Sequence, residues 1–460
     1  MELDGIEELR GQVAGPVLPA GDPAAAEEAS GFQLSVTHAP RVVVGATSEA
    51  DIAAAVRWAA EHGLPVAVQA TGHSPVLPAE GMLVTTGRMR GVSVDPQRRV
   101  ATAEAGTRWA DVVAVTAEHG LVPLSGSSSG VGVVGYTLTG GVGPLVRAHG
   151  FACDLVTRVR LVTADGAVTD VTANSDPELF WAVRGGKANF GIVTEVEFGL
   201  VPVSRLAGGG LYFDGADAEA LLAAYRTWVP TLPEATTTSI ALMRAPDLPF
   251  VPEPIRGRLS VRITVAHDGS LDEAESLVAP MLAAGSVVMG GLTDLAPTEF
   301  DRIHNDPTEP GASWDGGLLL GSLEEETVDA LLAVAGPGVN PPITVVELRH
   351  LGGALGREPA VPSAAPGRDG AFGVFVIGVL APPVADAVPG AGAAVLDALR
   401  PWALPTTLVA FAGAEASPEA VYGPDTLARL RRVKDRLDPD GLFRSGGDLR
   451  PTQEAVSAGG

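Results

Sequence analysis

The loop Gln69-Ala70-Thr71-Gly72-His73-Ser74 sets one reactive side chain, the imidazole of His73, on a backbone of small residues that can approach a ligand closely. About fifty residues on, Gly126-Ser127-Ser128-Ser129-Gly130-Val131-Gly132-Val133-Val134-Gly135 offers a row of backbone N–H groups with few side chains in the way. Such a row is the chemistry of an anion cradle. Together the two loops suit a phosphate-bearing cofactor held against one histidine. No cysteine stands in the second loop.

The second loop satisfies two patterns and admits a third reading. Gly126-Ser127-Ser128-Ser129-Gly130 fits the hydrolase nucleophile elbow G-x-S-x-G, with Ser128 as nucleophile. That reading needs a long helix directly after the serine. Gly130-x-Gly132-x-x-Gly135 fits the dinucleotide fingerprint, with Asp154 near the usual acidic offset. It needs a helix too. Gly132, Gly135, Gly140, Gly141, Gly143 and Pro144 follow, at a cost of about 1 kcal/mol per helical glycine and ~3 for proline. An irregular loop that hugs phosphate and ring is the reading that accounts for this glycine density.

The elements around these loops can be read from periodicity. Arg41–Val44 reads as a strand. Ser48 and Asp51 open a helix with Ile52, Val56, Ala59 and Ala60 on one face, and Gly63 closes it. Pro65–Val68 is then a buried strand that delivers His73 at its end. Further strands are expected at 82–86, 99–103, 157–163 and 168–171. Ser175-x-x-Glu178 should cap a short helix through Trp181, and Ile192 to Phe198 alternates as a strand. Residues up to about 35 read as a loosely packed arm. From about Leu206 helices are expected at 218–229, 271–284 and 384–399, with strands at 259–265, 286–289, 343–348 and 373–379. A last helix carries Leu427, Leu430, Val433 and Leu437.

Composition narrows the function classes. The 460 residues are 46% hydrophobic, enough for a large core in more than one domain. A formal charge of −24 repels phosphate backbones and anionic membranes, so neither is an expected partner. The single cysteine, Cys153, excludes an intramolecular disulfide and any Cys-rich metal site. The acidic start Met1-Glu2-Leu3-Asp4 is unlike a signal peptide. A cytoplasmic monomer or homodimer without a metal is expected.

Four blocks resemble the FAD-linked oxidoreductases of the berberine-bridge-enzyme-like group, within the vanillyl-alcohol-oxidase (PCMH-type) flavoprotein fold. They are Thr71-Gly72-His73-Ser74; Val131-Gly132 through Gly140-Gly141-Val142-Gly143 with Cys153-Asp154-Leu155; Leu179 through Arg184-Gly185-Gly186-Lys187-Ala188-Asn189-Phe190-Gly191-Ile192-Val193-Thr194; and Tyr422 through Asp438-Pro439-Asp440-Gly441-Leu442-Phe443-Arg444. They span about residues 38 to 447 in the family's order. The resemblance implies an α+β fold. An FAD-binding domain would comprise 1–205, a substrate domain 206–405, and a segment returning to the FAD domain 406–460. The substrate domain would be an antiparallel sheet covered by helices.

The resemblance also assigns roles. FAD would be bound by Gln69, Ala70, Thr71, Gly72, Ser74, Ser127, Ser128, Val131, Gly132, Gly135, Leu138, Gly141, Gly143, Ile192 and Val193, and bonded covalently to His73. Many relatives add a second bond from a cysteine; Ser128 stands there and lacks thiolate chemistry, so one bond is implied. Val131 matches the position that gates dioxygen in relatives, and resembles the oxidase variety. Tyr422 matches a tyrosine base, although Gly423 follows where relatives often have a second aromatic residue. Glu347, Arg349 and His350 would meet the substrate. Relatives often end in asparagines where Ser445-Gly446-Gly447-Asp448 stands here, which sets that tail apart. The implied activity is oxidation of a C–H bond next to oxygen or nitrogen in a natural product or sugar, with dioxygen as acceptor; a dehydrogenase or an oxidative cyclase is the alternative.

Overall fold

Four short runs of β-branched residues make the sheet that carries His73. In the computed structural model, which describes residues 4–74, 78–203, 205–414, 416–444 and 449, strands Val17–Pro19, Val42–Gly45, Met82–Thr85 and Val66–Gln69 lie side by side in that order. The first pair is antiparallel; Val42–Gly45 and Val66–Gln69 both run parallel to Met82–Thr85. A parallel crossover needs a helix, supplied by Glu49–Glu61. Ser48 caps it by accepting from the Asp51 N–H at 3.2 Å, and Ile52, Val56 and Ala59 are buried while Ala60 is exposed.

A second, antiparallel sheet follows the order Val92–Asp95, Val100–Glu104, Ile192–Gly199, Val156–Val162, Val168–Val171. Its alternating strand Ile192–Gly199 buries Ile192, Thr194, Val196 and Phe198 and leaves Glu195 and Glu197 half-exposed. After Val201–Pro202 the chain enters a third sheet of eight antiparallel strands, with Leu259–Asp268, Thr236–Arg244, Val345–His350, Phe372–Val379 and Ser313–Leu320 adjacent in that order. Helices Ala218–Trp228, Leu271–Ala284, Glu325–Ala335 and Val388–Leu399 cover one face, through Leu222, Trp228, Met281, Leu331 and Val395. The same strands also bury polar residues, among them Thr238, Arg262, Glu347 and Arg349.

The helix Pro418–Leu437, kinked at Gly423 (φ 69°), returns to the first part of the chain. Its Leu427, Leu430 and Val433 share a core with Phe180 and Trp181. The Lys434 ammonium is buried there and donates to the carbonyls of Asn189 (2.7 Å) and Phe443 (2.8 Å) and to the Asp438 carboxylate (2.7 Å). Asp438 also accepts from the N–H groups of Leu442 and Phe443.

Several expectations are corrected. The first 35 residues are not a loose arm: helices Ile6–Gln12 and Pro23–Ala29 flank a paired strand, and Leu9 is fully buried. Asp176, not Ser175, caps the helix Pro177–Val183, accepting from the Leu179 N–H at 3.0 Å. The glycine run is not wholly irregular, because Val133–Leu138 forms a helix after Gly132. Six residues starting five past Ser128 are not the long helix a nucleophile elbow requires. Strands Thr236–Arg244 and Ser313–Leu320 and helix Glu325–Ala335 went unread. Gly317 explains one omission: a Cβ there would stand 2.4 Å from the Val374 carbonyl oxygen, so a strand that looks like a turn needs its glycine for close approach. The tail Ser445-Gly446-Gly447-Asp448 lies outside the described residues.

Replacing Asp438 with Ala would remove a carboxylate partner of the buried Lys434 ammonium and the acceptor of the Leu442 and Phe443 N–H groups. The expected loss is about 3–5 kcal/mol of stability, read as a lower urea midpoint. A midpoint equal to that of the parent chain would contradict this role.

Candidate functional site

The strand Val66–Gln69 ends at a turn that only glycine permits. Gly72 has φ +62°, and a Cβ on it would lie 2.7 Å from the Cα of Gly31. His73 follows. Its Nδ1 meets the Thr71 hydroxyl at 3.0 Å, and that hydroxyl accepts from the Gly132 N–H at 3.3 Å. The two loops singled out by sequence are therefore tied together. The His73 ring stacks on Phe32, with centroids 4.1 Å apart and planes 9° off parallel. Burial, with help from Arg108, pushes its pKa down to about 4. The imidazole is neutral at pH 7 and keeps a nitrogen lone pair for bonding.

His73 opens on a cavity of about 240 Å³. Of the residues expected to bind the cofactor, Gln69, Ala70, Thr71, Gly72, Ser74, Val131, Gly132, Gly135, Leu138 and Val193 line it with His73. Ser127, Ser128, Gly141, Gly143 and Ile192 do not. Ile192 is buried in the core under the first sheet. At Gly143 a Cβ would stand 1.9 Å from the Ser125 carbonyl oxygen, so that glycine serves packing.

The expected row of free N–H donors is also corrected. The N–H groups of Ser129, Val131, Gly132 and Val133 already donate to Asp301, Ser128, Thr71 and Thr107. What the wall offers a cofactor is different. Val68, Val134, Leu138, Val193 and Val409 give it apolar surface for a planar ring. Thr86 and Tyr136, both on the wall, hold buried hydroxyls with no hydrogen-bond partner among the described residues. Unpaired buried hydroxyls are rare and mark a missing partner. Apolar walls, unpartnered hydroxyls and a neutral imidazole fit a flavin that brings its own polar edge.

Two charged residues missed by the sequence reading complete the wall. Asp315 comes from the strand Ser313–Leu320, and Lys187 from the turn after Gly186. Burial pushes Asp315 up to about 6, against the opposing pull of Lys187. Burial lowers the Lys187 ammonium. Lys187 holds φ +58°, a left-handed conformation that is uncommon outside glycine and clusters at functional sites. Lys187 lay inside a recognised block, whereas Asp315 sits in Ser-Trp-Asp-Gly-Gly, which reads as a turn.

The other expected site residues are placed elsewhere. Tyr422 is buried in the core and donates its hydroxyl to the Gly185 carbonyl at 2.9 Å; burial raises its pKa. It is not on the cavity wall. Glu347 and Arg349 form a buried ion pair at 2.8 Å. Burial would raise Glu347, but Arg349, His304 and Arg262 outweigh it and hold the carboxyl at about 2. Arg349 also lies 5.3 Å over the Phe411 ring. His350 accepts from Arg147 at 2.8 Å and is pushed down to about 3, by burial and then by Arg147. None of these three lines the cavity. Cys153 is buried and pushed up to about 12, chiefly by burial, so it is no thiolate. Among the described residues no cluster could hold a metal ion, and no helix is long and apolar enough to cross a membrane.

A family model described as an FAD binding domain matches residues 40–172. The chain is 30% identical to (R)-6-hydroxynicotine oxidase of Paenarthrobacter nicotinovorans over 437 residues, covering 90% of this chain and 91% of that one. Its fold superposes on the berberine-bridge-enzyme-like protein 1 of Physcomitrella patens with a TM-score of 0.84, at 18% identity and 97% and 100% coverage of the two chains. A xylooligosaccharide oxidase from Myceliophthora thermophila, solved with xylobiose, gives 0.83 at 22% identity, with 98% and 100% coverage.

Three neutral histidines decide how folding responds to pH. His73, His304 and His350 are pushed to about 4, 4 and 3, while an imidazole in the unfolded chain titrates near 6.5. Between these values the unfolded state binds more protons, so stability falls as pH drops through about 6.5 toward 4. Among the described residues Asp315 acts oppositely, between 3.8 and about 6. The urea midpoint is expected to be lower at pH 5 than at pH 7; a higher midpoint at pH 5 would contradict these placements.

Proposed function

Because the chain belongs to the berberine-bridge-enzyme-like FAD-linked oxidoreductases, we propose that it works as an oxidase on a small molecule, removing hydride from a C–H bond next to oxygen or nitrogen. FAD, when bound against His73, Val131 and Val193, would supply the hydride acceptor and a route for the electrons to dioxygen. The observation that carries the reading is the cavity itself, with neutral His73 on one wall and Asp315 and Lys187 also facing it. Similarity to a nicotine-derivative oxidase and to a sugar oxidase supports an amine or alcohol substrate. The divisions 1–205, 206–405 and 406–460 serve this reading as FAD domain, substrate domain and returning segment, with the cavity lined from all three.

His73 forms the single covalent bond to the flavin. Its neutral nitrogen is the nucleophile such a bond requires, and Ser128 offers no thiolate for a second. Val131, on the same wall, borders the path of dioxygen. Asp315 takes the substrate proton: it faces the cavity, and a carboxyl with pKa near 6 is tuned for proton transfer at physiological pH. Tyr422, turned to Gly185, holds the returning helix in place instead. Lys187 steadies developing negative charge in the cavity.

The purified chain is expected to be yellow and to keep its colour through acid precipitation, whereas His73→Ala releases the flavin into the supernatant. Colour that stays bound in His73→Ala would refute attachment there. Substrate oxidation is expected to yield peroxide one for one; reduction without peroxide favours the dehydrogenase reading. With Asp315 as base, kcat/KM rises with pH through about 6 as the carboxylate forms. Asp315→Asn is expected to lose roughly 10²-fold or more in kcat, the scale of general base catalysis. Unchanged turnover would remove Asp315 from that role.

A further inference from the structure

The segment Gly31–Leu34 lies between the His73 loop and the strand that carries Asp315, and bonds to both. On one side the N–H groups of Phe32 and Gln33 donate to the carbonyls of Thr71 (3.0 Å) and Gly72 (2.8 Å). On the other, Leu34 N–H donates to the Gly311 carbonyl (2.9 Å), and Gly311 N–H donates back to Phe32 (3.0 Å). The buried Gln33 carboxamide grips Ser313 twice: its amide donates to the hydroxyl at 2.8 Å, and its oxygen accepts the Ser313 N–H at 3.0 Å. Asp315 is two residues further along the same strand. From the centre of this clip the Phe32 ring lies flat on the His73 imidazole.

We propose that Phe32 is the positioning residue for flavin attachment, its ring fixing the plane of the His73 imidazole so that a ring nitrogen faces the flavin methyl carbon. This rests on the reading that His73 bonds the flavin. Among the described residues, the Thr71 hydroxyl at Nδ1 and the Phe32 face set the attitude of the imidazole. The hydrogen bond fixes where Nδ1 lies but leaves the tilt of the ring plane open. The stack removes that freedom. Both neighbours are themselves fixed: Thr71 by Gly132, and Phe32 by backbone bonds on both sides. Orientation matters because bond formation needs the nitrogen lone pair aligned with its target within a narrow cone. Attachment joins nitrogen to the methyl carbon. One methyl hydrogen and the imidazole hydrogen leave with two electrons to the flavin, and dioxygen takes both electrons and both protons as peroxide.

A purely structural role for Phe32 would move flavin binding and attachment together. A positioning role moves only attachment. The test uses the full chain produced in riboflavin-limited cells and then given FAD. Bound flavin is measured by absorbance of the native protein, and attached flavin by fluorescence of the denatured band over time. Phe32→Leu, which keeps apolar bulk without a flat ring, is expected to bind flavin as the parent does but to attach it at least threefold more slowly. Phe32→Trp, which keeps a flat ring, is expected to attach at close to the parent rate. Attachment by Phe32→Leu at the parent rate would overturn the proposal, as would equal slowing in Phe32→Leu and Phe32→Trp. So would a loss of bound flavin proportional to the loss of attachment. A parent chain that releases all its flavin on denaturation would refute attachment as such, a failure distinct from that of Phe32.

Discussion

The site depends on one close approach, between the backbones of Gly31 and Gly72. A Cβ at Gly72 would come within 2.7 Å of Gly31, and one at Gly31 within 2.9 Å of Gly72. Because neither residue has a side chain, the early segment can lie directly against the turn that holds His73. Its hydrogen bonds then reach the turn on one side and the strand Ser313–Leu320 on the other. The histidine, the early segment and the acidic strand thus have their relative positions fixed by backbone geometry. Side chains of the cavity wall are set by packing on that frame.

Within the frame, burial does the electrostatic tuning. Taking an imidazole out of water disfavours its charged form, and taking a carboxyl out of water does the same. The outcome is opposite in direction: His73 goes down, so its imidazole is neutral at pH 7, and Asp315 goes up to about 6, close to the pH at which it would exchange a proton. Lys187, on the same wall, limits the rise of Asp315. The deeper ion pair, Glu347 with Arg349, shows the contrast. There partner charges outweigh burial and the carboxyl stays ionised. One carboxyl titrates near 6; the other is held ionised by a cation two residues along its own strand.

The loops and their strands were legible in sequence because their signals are local. A capping serine, an alternating Ile192–Phe198 run and a glycine turn each act over a few residues. The cofactor-binding family was legible too, from blocks such as Arg184 to Thr194 and Asp438 to Arg444. What was not legible depends on contacts across long separations. Asp315 reaches the cavity only because Gly317 lets its strand pack against Val374 and Phe411. Phe32 reaches His73 only through pairing some forty residues apart. Tyr422 reads as a base from its place in a motif, yet its hydroxyl faces Gly185. Glu347 and Arg349 sit on the face expected of them, but their charges satisfy each other. Position along the chain indicates which loop a residue occupies, and tertiary packing decides what its functional group meets.

The reading of the site turns on one proposed bond, between His73 and the flavin. Mass analysis of the denatured chain, followed by peptide mapping, tests it directly. The proposed bond predicts one chain heavier by one FAD, with the added mass confined to the peptide that holds His73. A chain of unmodified mass, an adduct on a different peptide, or two attachment points would contradict it.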